Sequence, residues 1–352
     1  MIVRHRRWLI GGFLVATLLI VAAALTLAEA QRYAMAPTRI AVTATRIESF
    51  DAAAPTHTRF GALEFRGGLA LTSIERAFGG VSGLRVDADG SHFLAVTDNG
   101  SWLRGRIVSE DGRLSGVADM EMAPLLAADG HPLAARGWFD AESLENDHGT
   151  LYVGLERVEQ IVRFNYGRDG LKARGVPLPV PADFKTFTFN KSLECLAMPP
   201  QGSALAGALI VVTERSLDAQ GNHRAYLLSG AQADPLNGVH AERFSVRRSD
   251  DFDVSDCTIL PPADLLLLER RFSLASGVAM RIRRIPLDSL KPGALVDGTQ
   301  LIFADLGFQI DNMEGIAVHR NAKGEVIITL VSDDNFSPLQ RSLLLQFALV
   351  GE

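Results

Sequence analysis

From Gly80 onward the chain repeats itself, and this periodicity constrains the fold more than any other feature of the sequence. Five units can be stacked, each opening with a small or acidic group, running into an apolar strand, turning, and ending a second apolar strand on an acidic residue. They read Val81-Ser82-Gly83-Leu84 to Thr97-Asp98-Asn99, Asp140-Ala141-Glu142-Ser143-Leu144 to Leu155-Glu156-Arg157, and Ser192-Leu193-Glu194-Cys195-Leu196 to Thr213-Glu214-Arg215. The last two read Val254-Ser255-Asp256-Cys257 to Leu268-Glu269-Arg270 and Asn312-Met313-Glu314-Gly315-Ile316 to Ser332-Asp333-Asp334-Asn335. The second acidic position falls at 98, 156, 214, 269 and 333, intervals of 58, 58, 55 and 64 residues. Such a period exceeds a WD40 blade and suits a four-stranded blade with generous loops. Turn residues such as Asp89-Gly90 and Pro261-Pro262 precede the strands, and no long helical period intervenes after Gly61. Phe60 to Leu71 and Leu343 to Leu349 are left over and together complete a sixth blade, because closing the ring removes exposed sheet edges. The expected architecture is therefore all-β, a six-bladed β-propeller over residues 60–352 behind a lead-in at 31–59. The competing reading is an open β-sandwich with coincidental spacing.

In an antiparallel pair, the start of the first strand and the end of the second lie at the same sheet edge. The repeat thus brings Asp98, Glu142, Glu156, Glu194, Glu214, Asp256, Glu269, Glu314 and Asp333 to one end of the propeller. Carboxylates so gathered raise each other's pKa unless a positive charge joins them. Hard cations, Ca²⁺ first among them, and the arginines of Glu156-Arg157, Glu214-Arg215 and Glu269-Arg270-Arg271 are the candidates, with Lys191 nearby. The plainer reading of each Glu-Arg pair is an inter-blade ion pair.

Residues 1–30 read as an export signal or a retained anchor. Arg4, Arg6 and Arg7 precede an uncharged apolar run from Trp8 to Leu27, and Ala28-Glu29-Ala30 offers a cleavage site. Cleavage gives a periplasmic or secreted protein; if the run is kept, residues 8–27 tether it to the membrane. Cys195 and Cys257 allow at most one bridge, and two buried small side chains are the favoured reading. A formal net charge of -6 argues against nucleic-acid binding, which needs a basic surface. Scattered histidines exclude a zinc cluster, and the absence of G-x-S-x-G excludes a nucleophile elbow.

Taken in order, Gly80-Val81-Ser82-Gly83-Leu84, Thr97-Asp98-Asn99-Gly100, Leu268-Glu269-Arg270-Arg271, Asn312-Met313-Glu314-Gly315-Ile316-Ala317 and Ser332-Asp333-Asp334-Asn335-Phe336 resemble the phytase-like, "esterase-like activity of phytase" family. The resemblance covers about residues 60 to 349 and implies an exported propeller that hydrolyses a phosphoester or ester. Where the pattern expects Asn-x-Glu-Gly-Leu, this chain carries Glu194-Cys195 and Asp256-Cys257. The sequence therefore leads to a monomeric, metal-dependent hydrolase of a small anionic ester. In it Glu142, Glu194, Asp256 and Glu314 hold cation or activate water, with Asp98, Glu269 and Asp333 as further ligands. Arg157, Arg215, Arg270 and Lys191 bind the anion. The alternative is a non-catalytic, calcium-stabilised propeller serving as an envelope ligand-binding or scaffold module.

Overall fold

The computed structural model describes residues 36–230 and 239–350, arranged as five antiparallel-based sheets. Their inner strands are Val81–Val86, Ala141–Asp147, Leu193–Ala197, Asp253–Leu260 and Asn312–Arg320, defining blades one to five. Each inner strand packs on the next, and that of blade five packs on that of blade one. The ring thus closes at five blades, not six.

The continuous apolar runs in the second strands follow from burial on both faces, since each blade is sandwiched between two others. In blade two, Leu151, Val153 and Leu155 pack toward blade one, while Tyr152 packs toward blade three. In blade four, Leu265 and Leu267 face blade three, while Leu266 and Leu268 face blade five. One apolar cluster fills each of the five interfaces.

The leftover segments complete blade five instead of forming a sixth. Among the described residues after Asp333 one strand follows, Ser342–Leu349, and the N-terminal strand Leu63–Ser73 pairs with it, from Ser342↔Leu71 to Leu349↔Leu63. The expected pairing of chain ends holds; its assignment to an extra blade does not. The lead-in also belongs to the propeller: Val42–Ile47 adds a strand outside Leu63–Ser73, and Thr38–Arg39 edges blade one. The apolar run 8–27 and its cleavage site lie outside the described residues. Among the described residues no helix is long and apolar enough to cross a membrane.

Each inner strand carries a β-bulge near its start, where register slips by one against the second strand. The residue just after the bulge faces the neighbouring blade. At Gly83 and Gly315 it is glycine because an added Cβ would meet Leu144 N at 2.6 Å or Val331 Cγ2 at 2.6 Å and Leu84 Cβ at 3.0 Å. Where glycine is missing, a bond to the next blade takes its place. Ser143 Oγ donates to Leu193 O at 2.7 Å, and Asp256 Oδ2 accepts from Ile316 N at 2.8 Å. Cys195 forms a disulfide with Cys257, joining blades three and four, which corrects the reading of two unbridged cysteines.

Arg85, rooted in blade one, binds all the other inner strands across the axis. Its Nε and Nη2 donate to Glu145 Oε2 of blade two at 2.9 and 2.8 Å. Nη2 also donates to Leu196 O at 2.7 Å and Cys257 O at 3.0 Å, and Nη1 to Ile316 O at 3.3 Å. This buried guanidinium plugs the channel beneath the end at which the inner strands begin.

Candidate functional site

That end is an acidic mouth. The pairs Val81↔Thr97, Ala141↔Leu155, Leu193↔Thr213, Val254↔Glu269 and Met313↔Ser332 set its register. The bulged residues are Glu142, Glu194 and Glu314, with Ser82 and Ser255 at the same place in blades one and four. The residues next along the second strands are Asp98, Glu156, Glu214, Arg270 and Asp333, the last two paired in turn with Asp253 and Asn312. Blade four is thus one residue out of step with the sequence alignment. Its equivalent of Glu142 is Ser255, not Asp256, and its equivalent of Glu156 is Arg270, not Glu269.

A one-residue slip turns a side chain to the other face of a strand, which removes two expected ligands from the mouth. Asp256 is fully buried, held by Cys257 N at 2.7 Å and Ile316 N and lying 3.6 Å from Arg85 Nη1. Burial raises it to about 7, with Arg85 opposing. Glu269 is neutralised by Arg281 and Arg283, each with Nε 2.7 Å from Oε2. Arg215, expected to bind the anion, is instead paired through Nε at 2.7 Å with Asp253 of the next blade, the plainer ion-pair reading.

The other expected residues come together. Asp140, Glu142 and Glu156 present carboxylate oxygens within 4.8 Å of one another, and so do Glu156, Glu194 and Glu214. Lys191 Nζ donates to Glu214 Oε1 at 3.0 Å and sits 2.8 Å from Oε2. Arg270 bridges blades, with Nη2 3.0 Å from Glu314 Oε1 and 3.6 Å from Glu214 Oε1. Asn312 Nδ2 also donates to Glu314 Oε1 at 2.8 Å, Ser192 N to Glu156 Oε1 at 2.5 Å, and Ser82 Oγ to Asp98 Oδ1 at 3.0 Å. Glu194 Oε2 is buried with no hydrogen-bond partner among the described residues. Arg157 stands exposed at the rim, its guanidinium 4.5 Å from the Phe139 ring centroid.

Eight carboxylates therefore share a mouth with two close cations, Arg270 and Lys191, and their acidities record the crowding. Burial and the charge of Asp333 push Asp98 up to about 8. Burial lifts Glu156 to about 7, and Asp333 to about 6. It lifts Glu314 to about 8 against the pull of Arg270. Glu142, half-buried, and Glu194 are raised well above the usual range by desolvation and by their acidic neighbours. The donor set is all hard oxygen, and the orphaned Glu194 Oε2 has a lone pair to give, so the residues fit a cation such as Ca²⁺.

Two participants escaped sequence reading. Asp140 adopts a left-handed φ of 65°, donates its N–H to Asp98 O and accepts from Glu156 N, so it links blades one and two at the mouth. Its place opposite the residue following Leu155 was the available signal. Arg85 has no counterpart in the other units and gave no signal.

No curated protein matches the chain. Among solved structures, the WD40 repeats of RRP9 align at 13% identity and TM-score 0.37, covering 84% of this chain and 87% of that one. The N-terminal domain of Nup159 aligns at 11% identity and TM-score 0.34, covering 84% and 97%. The family model "Phytase-like: Esterase-like activity of phytase" matches residues 76–336, from the loop ahead of blade one to the mouth-side loop of blade five, and the chain belongs to that family.

Proposed function

We propose that this protein is an exported, divalent-cation-dependent hydrolase of phosphoesters or related esters that works at the acidic mouth. The observation that carries the proposal is the excess of carboxylates there, with Glu156, Glu194 and Glu214 converging and one buried oxygen of Glu194 unsatisfied. Glu156, Glu194 and Glu214 would hold the cation, which when bound would supply charge to polarise the ester oxygen. Arg270, with Nη2 3.0 Å from Glu314 Oε1 and 3.6 Å from Glu214 Oε1, holds both side chains in position. Glu142, partly open to solvent with its proton held by burial and by Asp98, is placed to give that proton to a leaving oxygen. Arg157, the anion-binding candidate that forms no salt bridge among the described residues, would meet the substrate at the rim beside Phe139. The Cys195–Cys257 bridge and the N-terminal sequence support export, since disulfides persist in oxidising compartments.

Arg270 also favours a second reading, a non-catalytic propeller in which the mouth is a structural charge network. Metal analysis of the purified protein, then a panel of phosphoesters and carboxylic esters with and without chelator, separates the two. Chelator-sensitive turnover lost in Glu142→Gln supports the hydrolase; cation binding without turnover of any panel member supports the module.

A further inference from the structure

A second polar site lies on the same face, between blades three and four and outside the acidic mouth. A cavity of about 510 Å³ is lined by Arg215, Arg248 and Arg271 together with Ser273, Ser276 and Asp251. Arg215 follows Glu214 and Arg271 follows Arg270, so the strand ends that build the mouth also position this cavity.

Each guanidinium is anchored on one side and uncommitted on the other. Arg215 gives Nε and Nη2 to Asp253 Oδ2, leaving Nη1. Arg248 gives Nε to Asp253 Oδ1 at 2.7 Å and Nη1 to Asp251 at 3.2 Å, leaving Nη2. Among the described residues Arg271 has no carboxylate partner. It donates Nη1 to Asp250 O at 3.1 Å and lies 4.9 Å from the Phe252 ring centroid, and its buried Nε has no hydrogen-bond partner. Three guanidinium groups thus share two carboxylates, one of which, Asp251, is almost fully exposed and free to swing aside. Ser273 and Ser276 hydroxyls, 2.7 Å apart, add donors at the hairpin tip.

Arginine donors fixed by their other nitrogens are pre-organised for a tetrahedral oxyanion, since planar forks match its geometry and little side-chain entropy remains to be lost. We infer that this cavity is a phosphoryl-binding pocket for a soluble ligand, independent of any cation in the mouth. It goes beyond the hydrolase reading and does not depend on it.

The test is calorimetry on the whole protein in chelator, with inorganic phosphate and glycerol 3-phosphate as probes. Arg271→Met removes the unpaired donor without stripping a carboxylate of its partner, and Ser273→Asp puts a negative charge on an exposed turn that tolerates it. Each should weaken phosphate binding by about tenfold or more, whereas Arg168→Gln, on exposed blade-two surface, should leave it unchanged. The inference is overturned if wild type shows no saturable phosphate binding, if both variants bind like wild type, or if the protein sediments with anionic lipid vesicles yet ignores both soluble probes. Chelator removes any cation from the mouth, and the Arg271 and Ser273 variants assign the remaining binding to this pocket rather than to Arg157 at the rim, so failure here leaves the hydrolase reading standing, and loss of turnover there leaves the pocket standing.

Discussion

Replacing Glu156 by Gln removes one charge from the mouth while keeping the shape and the acceptor that Ser192 N–H uses. In the cation-free protein the carboxyl of Glu156 is raised from 4.5 to about 7, chiefly by burial. A folded-state pKa above the unfolded one contributes stability that is full below pH 4.5 and lost as pH rises through 7. At about 1.4 kcal/mol per unit, wild type should lose about 2.5 kcal/mol relative to Glu156→Gln between pH 5 and pH 8. His223, whose own titration runs the other way, is present in both proteins and cancels. The assay is thermal unfolding in chelator at the two pH values, where each kcal/mol should appear as roughly 2–4 °C. Added Ca²⁺ at about a hundred times its Kd should stabilise wild type by about 2.7 kcal/mol and the variant by less. If the difference between the two proteins does not change with pH, Glu156 is not the crowded carboxyl described, and the electrostatic case for a cation falls with it.

Other outcomes can be checked on the same protein. Reducing Cys195–Cys257, or replacing both with Ser, opens a link spanning 62 residues and should cost about 4 kcal/mol on the chain-entropy account, read from the denaturant midpoint; an unchanged midpoint refutes the contribution. Arg85→Met leaves Glu145 and Asp256 buried without their cation and should cost about 3–5 kcal/mol, whereas Arg85→Met with Glu145→Gln should recover part of it. Burial lowers His223 from 6.5 to about 4, so its stability contribution is full above pH 6.5 and falls by up to about 3 kcal/mol toward pH 4. His223→Phe should flatten that acid limb, and an unaltered limb would exclude His223 as its cause. Gly83→Ala should be strongly destabilising, visible as a lowered unfolding temperature, because its Cβ would press on the backbone of Leu144.

The repeat was legible because each unit places the same polar residues at a strand edge, and the apolar runs were legible because blades are buried on both faces. Hence the propeller, the pairing of the chain ends, and the convergence of Glu142, Glu194 and Glu314 could be read from residue order alone. The blade count could not. A unit supplies only its first two strands unmistakably, and the outer strands, such as Arg174–Pro177, are short and half-exposed, so nothing in the sequence says whether a leftover strand completes an old blade or begins a new one.

Blade four shows why a correct repeat can still misplace a site. Leu268-Glu269-Arg270 looks like Leu155-Glu156-Arg157 and Thr213-Glu214-Arg215, and aligning acid on acid is the natural choice. The backbone aligns Glu269 with Leu155 and Thr213 instead, because Val254, not Ser255, faces Glu269 across the pair. The slip has a physical consequence. It places Arg270 in the ring among Asp98, Glu156, Glu214 and Asp333, where its charge is pinned between Glu314 and Glu214, and it sends Glu269 to Arg281 and Arg283. The mouth is therefore lopsided: Arg270 salt-bridges Glu314 and Glu214 and still feels the charges of Glu194 and Glu142, whereas among the described residues Asp140, Glu142, Glu156 and Glu194 of blades two and three have no salt bridge of their own. A cation, if it binds, should bind on that side, and Arg157 on the exposed rim of blade two is the arginine a bound anion would meet first.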